Sequence, residues 1–454
     1  MRALFRRIGC FRRNRSGNVA VIFALTLLPI VSAVGCAVDY NRATQIRAKL
    51  QAAADAASVG SIARTSPAFI AAGTMTSDGA IPVGVTDATN IFNANIANES
   101  GYTLNSVTPV VARAAGTVTS TVQFSATVPT MFLGVMGKSS MTVGGTSTST
   151  ANMPLYIDFY LLLDNSPSMS VGATPTDVAA MVSATSASSF GSNQNCAFAC
   201  HDVAAGATDN FYALAKSLGV TMRIDVLRTA TQQLMTTAGQ TATYSDQFRM
   251  AIYDFGVSAD TAAITTIFPL SSSLTSAQAA AGNIDVMTVN GQNDQNDQDS
   301  DFDNLLTQMN SAISSPGPGT SSAPQKYLFF VSDGVADESN SACLAAMSNS
   351  SGNIAPRCQE PINPALCTTI KNRGVKIAVL YTTYLQLPTN AWYMSWIDPF
   401  NHGPWGPSPN SQIAQNMQSC ASPGLYFEVS PTQGISEAMT ALFQKAVADA
   451  RISN

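Results

Sequence analysis

The stretch 155–170, LYIDFYLLLDNSPSMS, is apolar almost without interruption for nine residues and then presents one aspartate and three serines within seven positions. Asp164, Ser166 and Ser168 stand at i, i+2 and i+4 directly after the apolar run, where an extended chain can turn alternate side chains toward one point. Hard oxygen donors gathered in this way suit Mg²⁺, or another divalent cation, which takes oxygen ligands and keeps several waters. A second apolar run, KYLFFVSDG at 326–334, ends in Asp333 followed by Gly334. Bringing two carboxylates together costs free energy unless a cation lies between them or one takes a proton. An isolated Asp-x-Ser-x-Ser is more simply a helix N-cap. The second strand ending in Asp-Gly turns the reading toward a cation site.

These residues need a scaffold that brings strand ends together. From Leu155 onward, short apolar runs rich in aromatic and β-branched residues, LYIDFYLLL, RMAIYDF, KYLFFVS, VKIAVLYT and LYFEVS, read as strands. Between them, Ile224, Leu227 and Leu234 keep one face of a helix, and Phe302, Leu305, Leu306, Met309 and Ile313 keep one face of another. Strand and helix in alternation predict an α/β fold, a doubly wound and mostly parallel sheet covered on both faces. Ligands in such sheets bind outside the carboxyl ends of the strands. This domain is expected over 154–454, with inserted loops. Residues 65–153, with alternation in GTVTSTVQFSATVP and SMTVGGTSTST, predict a small β-rich module carrying no catalytic constellation.

The six Arg residues before Val19 are followed by twenty residues, Val19–Val38, without a charge, and the first acidic residue is Asp39. Twenty residues at 1.5 Å each span roughly 30 Å, the thickness of a bilayer core. The predicted organisation is a basic cytoplasmic segment (1–17), a transmembrane helix (18–38) and its continuation outside the membrane (39–64), with everything beyond on the far side. SAVGCA also loosely supplies a signal cleavage or lipidation site at Cys36. Ile46, Leu50, Ala54 and Ala57 recur at helical spacing through that point and favour one uninterrupted helix.

Charged residues make up only 11% of the 454-residue chain, net charge is −5, and the Arg cluster lies ahead of the apolar segment, so nucleic acid is excluded as a partner. Of eight cysteines, six lie in the outer part: Cys196, Cys200, Cys343, Cys358, Cys367 and Cys420. An even number in an oxidising compartment makes them disulfide candidates, with fifteen possible complete pairings. CAFACH spaces its cysteines by three residues, against the two of haem attachment, and a zinc site with His201 is the weaker reading. Asp299, Asp301 and Asp303 open like a calcium loop, but Asn304 and Asn310 stand where its Gly and closing Glu belong, so a solvated connection is expected. There are two histidines and neither G-x-S-x-G nor a Walker A sequence, which speaks against an enzyme. Three tryptophans, Trp392, Trp396 and Trp405, fall in the insert 388–423 and are expected to pack on their own domain.

Residues 16–60, with GNVAVIFALTLLPIVSAVGCAVDYNRA and KLQAAADAAS after the Arg-rich start, resemble the N-terminal segment of TadE/TadG-like proteins of the Flp (tight adherence) pilus assembly system. Processed pseudopilins of that system carry a Glu five residues after the cleavage-site Gly; Ile22 stands there after Gly17, so the anchor is expected to be kept. The pattern D-x-S-x-S with a later strand ending in D-G resembles the metal-ion-dependent adhesion site of von Willebrand factor A domains. That resemblance implies metal ligation by Asp164, Ser166, Ser168 and Asp333, with Ser300 in the place of the family's Thr from a second loop. Together the resemblances imply a single-pass protein of the bacterial inner membrane, its C-terminal part in the periplasm. It would assist assembly or anchoring of a Flp-type pilus by binding a protein partner through the cation. The alternative is a structural envelope protein or surface adhesin whose metal site only stabilises loops.

Overall fold

The apolar segment and its continuation form one helix, Gly17–Gly60, that passes Pro29 without interruption. Among the described residues it is the one helix long and apolar enough to cross a membrane, and 6% of its apolar window is buried. The structure is a computed structural model. It describes residues 17–75, 77–114, 116–186, 195–199, 201–203, 210–244, 246–261, 263–290, 299–339, 357–384, 386–388, 390–402, 411–430 and 434–452. The six N-terminal Arg residues, Cys200, Cys343, Trp405 and most of the acidic run before Asp299 lie outside the described residues. The chain divides into two units, Met1–Met153 and Pro154–Asn454.

In the first unit, Ala43, Ile46, Leu50, Ala53, Ala54 and Ala57 make the buried face of the long helix. They pack against Phe92 of helix Pro82–Ile96 and against an antiparallel sheet. The sheet runs β1 (Gly79–Ala80), β2 (Thr103–Ala114), β3 (Thr117–Pro129) and β4 (Ser140–Asn152), in that order. Strand β3 alternates, burying Val118, Val122, Phe124, Ala126 and Val128. Two helices, Pro67–Thr74 and Pro82–Ile96, stand in the region whose alternation predicted strands alone. Both begin with Pro in the first turn, and Ser66 caps the first by accepting from Phe69 N (3.2 Å).

In the second unit the strands are β5 (Ile157–Leu163), β6 (His201–Asp202), β7 (Phe248–Asp254), β8 (Thr265–Ser271), β9 (Thr288–Val289), β10 (Gln325–Ser332), β11 (Val335–Ser339), β12 (Arg357–Pro361), β13 (Lys376–Thr382) and β14 (Tyr426–Val429). Six form the main sheet in the order β8-β7-β5-β10-β13-β14, all parallel except β8. Alternate residues supply two cores. Phe159, Leu161, Tyr327 and Phe329 face the side covered by helices Arg223–Thr241 and Ile435–Ile452, whereas Tyr160, Leu162, Leu328 and Phe330 face the side covered by Phe302–Ala312, Ala365–Asn372 and Gln412–Cys420. Burial on both faces is why these strands read as continuous apolar runs. Strand β8, TTIFPLS, gave no such signal: it is a half-exposed edge, where Pro269 removes no ladder bond that the sheet needs.

Candidate metal centre

Strands β5 and β10 are neighbours, with Leu163 opposite Val331, so Asp164 and Asp333 leave adjacent parallel strands at their carboxyl ends. The sheet is built outward in both directions from this pair, which makes it the switch point where doubly wound sheets bind ligands. Asp164 N continues the ladder by donating to Val331 O at 2.9 Å. Pro167 then opens a tight 3-10 turn, Pro167–Ser170, that swings the serines back over the strand end.

Every oxygen of the first cluster is engaged locally. Asp164 Oδ1 accepts from Ser166 N (2.9 Å) and Ser166 Oγ (2.6 Å), and Oδ2 accepts from Ser332 Oγ (2.6 Å). Ser166 Oγ and Ser168 Oγ lie 2.9 Å apart. Asn165 ties the loop to the end of β7: its amide donates to Gly256 O (2.8 Å) and its carbonyl accepts from Phe255 N (3.0 Å). Asp164 and Asp333 are both fully buried.

The third loop has a partner that motif reading did not find. Arg223, 1% exposed at the start of helix Arg223–Thr241, places Nη1 3.5 Å from Asp333 Oδ2. It also donates through Nη2 to Thr382 O (2.9 Å) and Thr383 O (2.5 Å). The Tyr384 ring lies 5.2 Å from its guanidinium carbon, and the Tyr384 hydroxyl interacts with Asp333. Burial and the neighbouring Asp333 charge hold the Asp164 carboxyl above the usual carboxylate range. Burial also raises Asp333, while Arg223 pulls it back down. Burial and Asp333 push the Tyr384 phenol well up.

Ser300 is buried, and its backbone exchanges hydrogen bonds with Asp337 of β11, Ser300 N to Asp337 O at 3.1 Å and Asp337 N to Ser300 O at 3.4 Å. The second loop is thereby held against the strand that follows Asp333. Asp164, Ser166 and Ser168 form one hydrogen-bonded cluster, Asp333 stands beside Arg223, and Ser300 lies in the turn hydrogen-bonded to β11. Among the described residues there is no group of three or more His, Cys, Asp or Glu that could hold a metal. Two carboxylates and several hydroxyls are nonetheless a hard-oxygen donor set that water can complete. One observation fits such a group. Thr382 Oγ1, at the end of β13 beside β10, is buried without a hydrogen-bond partner among the described residues, a costly state unless water or another ligand reaches it.

The remaining motifs resolve differently. Asp301 caps helix Phe302–Ala312 by accepting from Asn304 N (2.9 Å), so the helix begins inside the calcium-loop-like run. Cys367 and Cys420 are bridged, joining helix Ala365–Asn372 to the end of Gln412–Cys420, and Cys358 is disulfide-bonded. Cys196, a disulfide candidate, is a free thiol whose Sγ donates to Phe198 O (3.5 Å). Trp392 packs edge-on against Phe198 at 5.3 Å. Arg223, Ser332, Thr382 and Tyr384 were missed because they follow no spacing rule; an Arg opening an otherwise apolar helix face is the one signal that marked any of them.

The family model described as putative Flp pilus-assembly TadE/G-like matches residues 17–61. No curated protein matches the sequence. Among solved structures, the chain is similar to the vWF domain of the type V pili tip protein Mfa5 from Porphyromonas gingivalis (10% identity, TM-score 0.36, covering 66% of this chain and 97% of that one). It is also similar to the PilB minor pilin from Streptococcus sanguinis (12% identity, TM-score 0.32, 77% and 78%) and to proximal thread matrix protein 1 from the mussel byssus with a zinc-occupied MIDAS motif (12%, 0.32, 65% and 46%). Residues 17–61 thus match a family model of Flp pilus-assembly TadE/G-like proteins, and a doubly wound α/β domain follows that segment in the chain.

Proposed function

We propose that this protein is anchored in the inner membrane by its N-terminal helix and that its A-type domain, on the periplasmic side, binds a component of Flp pilus assembly or anchoring. The reading rests on the TadE/G-like segment and on one geometric observation. Two buried carboxylates and the hydroxyls of Ser166 and Ser168 meet at the switch point of the sheet. Asp164, Ser166, Ser168 and Asp333, with Ser300 from the second loop, would hold Mg²⁺ or another divalent cation. A cation there would supply an open coordination position for a carboxylate of the partner protein. The role is binding, not catalysis.

The test is capture of pilus components by the full-length, detergent-solubilised protein in Mg²⁺ and in chelator. Chelator-sensitive capture, lost in Asp164→Ala, supports the reading; capture unaffected by both overturns it. A second reading has its own observation. Arg223 beside Asp333 already ties the third loop to the domain, which favours a structural envelope protein or surface adhesin whose metal site only stabilises loops. In that case chelator lowers thermal stability without changing capture.

A further inference from the structure

Asp39, the first acidic residue of the chain, lies just past the apolar run and is 3% exposed. Its carboxylate is spent on the loop between β3 and β4: Oδ1 accepts from Met131 N (3.0 Å), and Oδ2 accepts from Phe132 N (2.9 Å) and Leu133 N (2.8 Å). The loop is also pinned at its base, where Thr130 N donates to Ser139 O (3.0 Å). One turn before Asp39, Phe132 lies on the helix backbone so closely that a Cβ at Gly35 would stand 2.5 Å from Phe132 Cβ. Cys36 Sγ approaches Met136 Sδ at 4.0 Å. The loop is therefore held at one fixed height on the long helix, alongside the last turn of the apolar run.

What the loop shows to its surroundings does not suit water. Met131 is 70% exposed, Val135 89% and Met136 64%, with Phe132 at 43%. The apolar helix beside them is equally uncovered: Ile30, Val31, Val34 and Val38 are all at least half exposed. Lys138 and Tyr40, both exposed, border the patch with the side chains that favour the membrane–water boundary. If Val19–Val38 fills the hydrocarbon core, Gly35 lies ~4–5 Å inside its boundary, and Phe132 beside it enters the same layer.

We infer that the loop Met131–Lys138 docks into the lipid leaflet on the side of the folded units, with Met131, Phe132, Val135 and Met136 among the acyl chains next to the spanning helix. The inference rests on the membrane-spanning reading of that helix. Asp39 couples the two: by capping the loop it neutralises three backbone donors that would otherwise meet lipid, and it sets the depth of the loop relative to the span.

The test uses the full-length protein in phosphatidylcholine–phosphatidylglycerol vesicles, with dansylalanine at position 135, 25 or 110 and doxyl-labelled lipids as quenchers. Val135 and Val110 are exposed, so neither replacement disturbs packing. Expected are blue-shifted emission and loss of intensity with lipid labelled near the headgroup at position 135, quenching by deeply labelled lipid at position 25, and no quenching at position 110, midway along β2. Red-shifted, unquenched emission at 135 with quenching retained at 25 overturns the loop inference alone. Blue-shifted but unquenched emission at 135 places protein over the loop, such as a second copy of the chain, and also overturns it. Loss of quenching at both 135 and 25 overturns the spanning reading, and the loop inference with it.

Discussion

Asp164 and Asp333 set the energetics at the strand ends of the second unit because both are buried and the Asp333 charge raises the cost of ionising Asp164. If Mg²⁺ binds between them only in the folded state, it stabilises by mass action, about 2.7 kcal/mol at a hundred times Kd. Asp164→Ala should abolish the Mg²⁺-induced rise in Tm while leaving the far-UV spectrum native, and Ser300→Ala should reduce that rise less, since water can replace one hydroxyl. A wild-type Mg²⁺ shift in Asp164→Ala, read by calorimetry, removes the cation assignment. Arg223 tests the same pocket from the other side. Removing one member of a buried ion pair typically costs ~3–5 kcal/mol. Arg223→Met should therefore be strongly destabilised in chelator and partly restored by Mg²⁺; equal losses in both conditions would mean that no cation shares the work of the guanidinium.

At the scale of elements, the strand ends and the covalent link between helices carry separable predictions. Asp254 closes β7, is 7% exposed and accepts from Gly256 N (3.2 Å); burial pushes its carboxyl up to about 7. Its folded value lies above that of the unfolded chain, so between roughly pH 4 and 7 the native state holds the extra proton and stability falls as pH rises. Asp254→Asn keeps the accepting oxygen and removes the charge. Its Tm should exceed that of wild type at pH 8 by several degrees and match it near pH 4; equal values at pH 8 would show that Asp254 ionises freely in the fold. The Cys367–Cys420 bridge closes 53 residues between two helices of one core face. Removing it as Cys367→Ser/Cys420→Ser should cost ~2–4 kcal/mol. In the native protein without reductant, Cys196 should take up an alkylating reagent whereas Cys358, Cys367 and Cys420 should not. Mass-spectrometric mapping of the labelled sites decides this.

For the whole molecule, the Gly17–Gly60 helix joins an apolar, exposed half to a half packed under a four-stranded sheet. A reporter that is active only outside the cytoplasm, fused after Asn454, should be active if the positive charges before Val19 stay inside. The protein recovered from membranes should keep its N-terminus. A mature chain beginning at Cys36 would show lipidation in place of a spanning helix.

How much of this was legible beforehand depended on whether each feature follows from local pattern or from distant contact. The apolar run of twenty residues and the helical spacing of Ile46, Leu50, Ala54 and Ala57 set the long helix, because length and periodicity are properties of consecutive residues. The five parallel strands of the main sheet were legible for the same reason: burial on both faces writes itself as an unbroken apolar run. So was the clustering of Asp164, Ser166 and Ser168, because all three lie within five consecutive residues. Strand β8 was hidden because an edge strand needs no such run. The two helices of the first unit were hidden because Pro67–Thr74 is only eight residues long and Pro82–Ile96 sets Thr and Asn among its apolar residues, so neither writes a clear helical period. Only the tertiary structure placed Asp164 next to Asp333, by pairing β5 with β10 across 168 residues as measured at Ser332 Oγ and Asp164 Oδ2. It alone brought Arg223 to Asp333 and the Met131–Lys138 loop to Asp39, since such pairings depend on which elements the sheets set side by side, and no one-dimensional spacing encodes that choice.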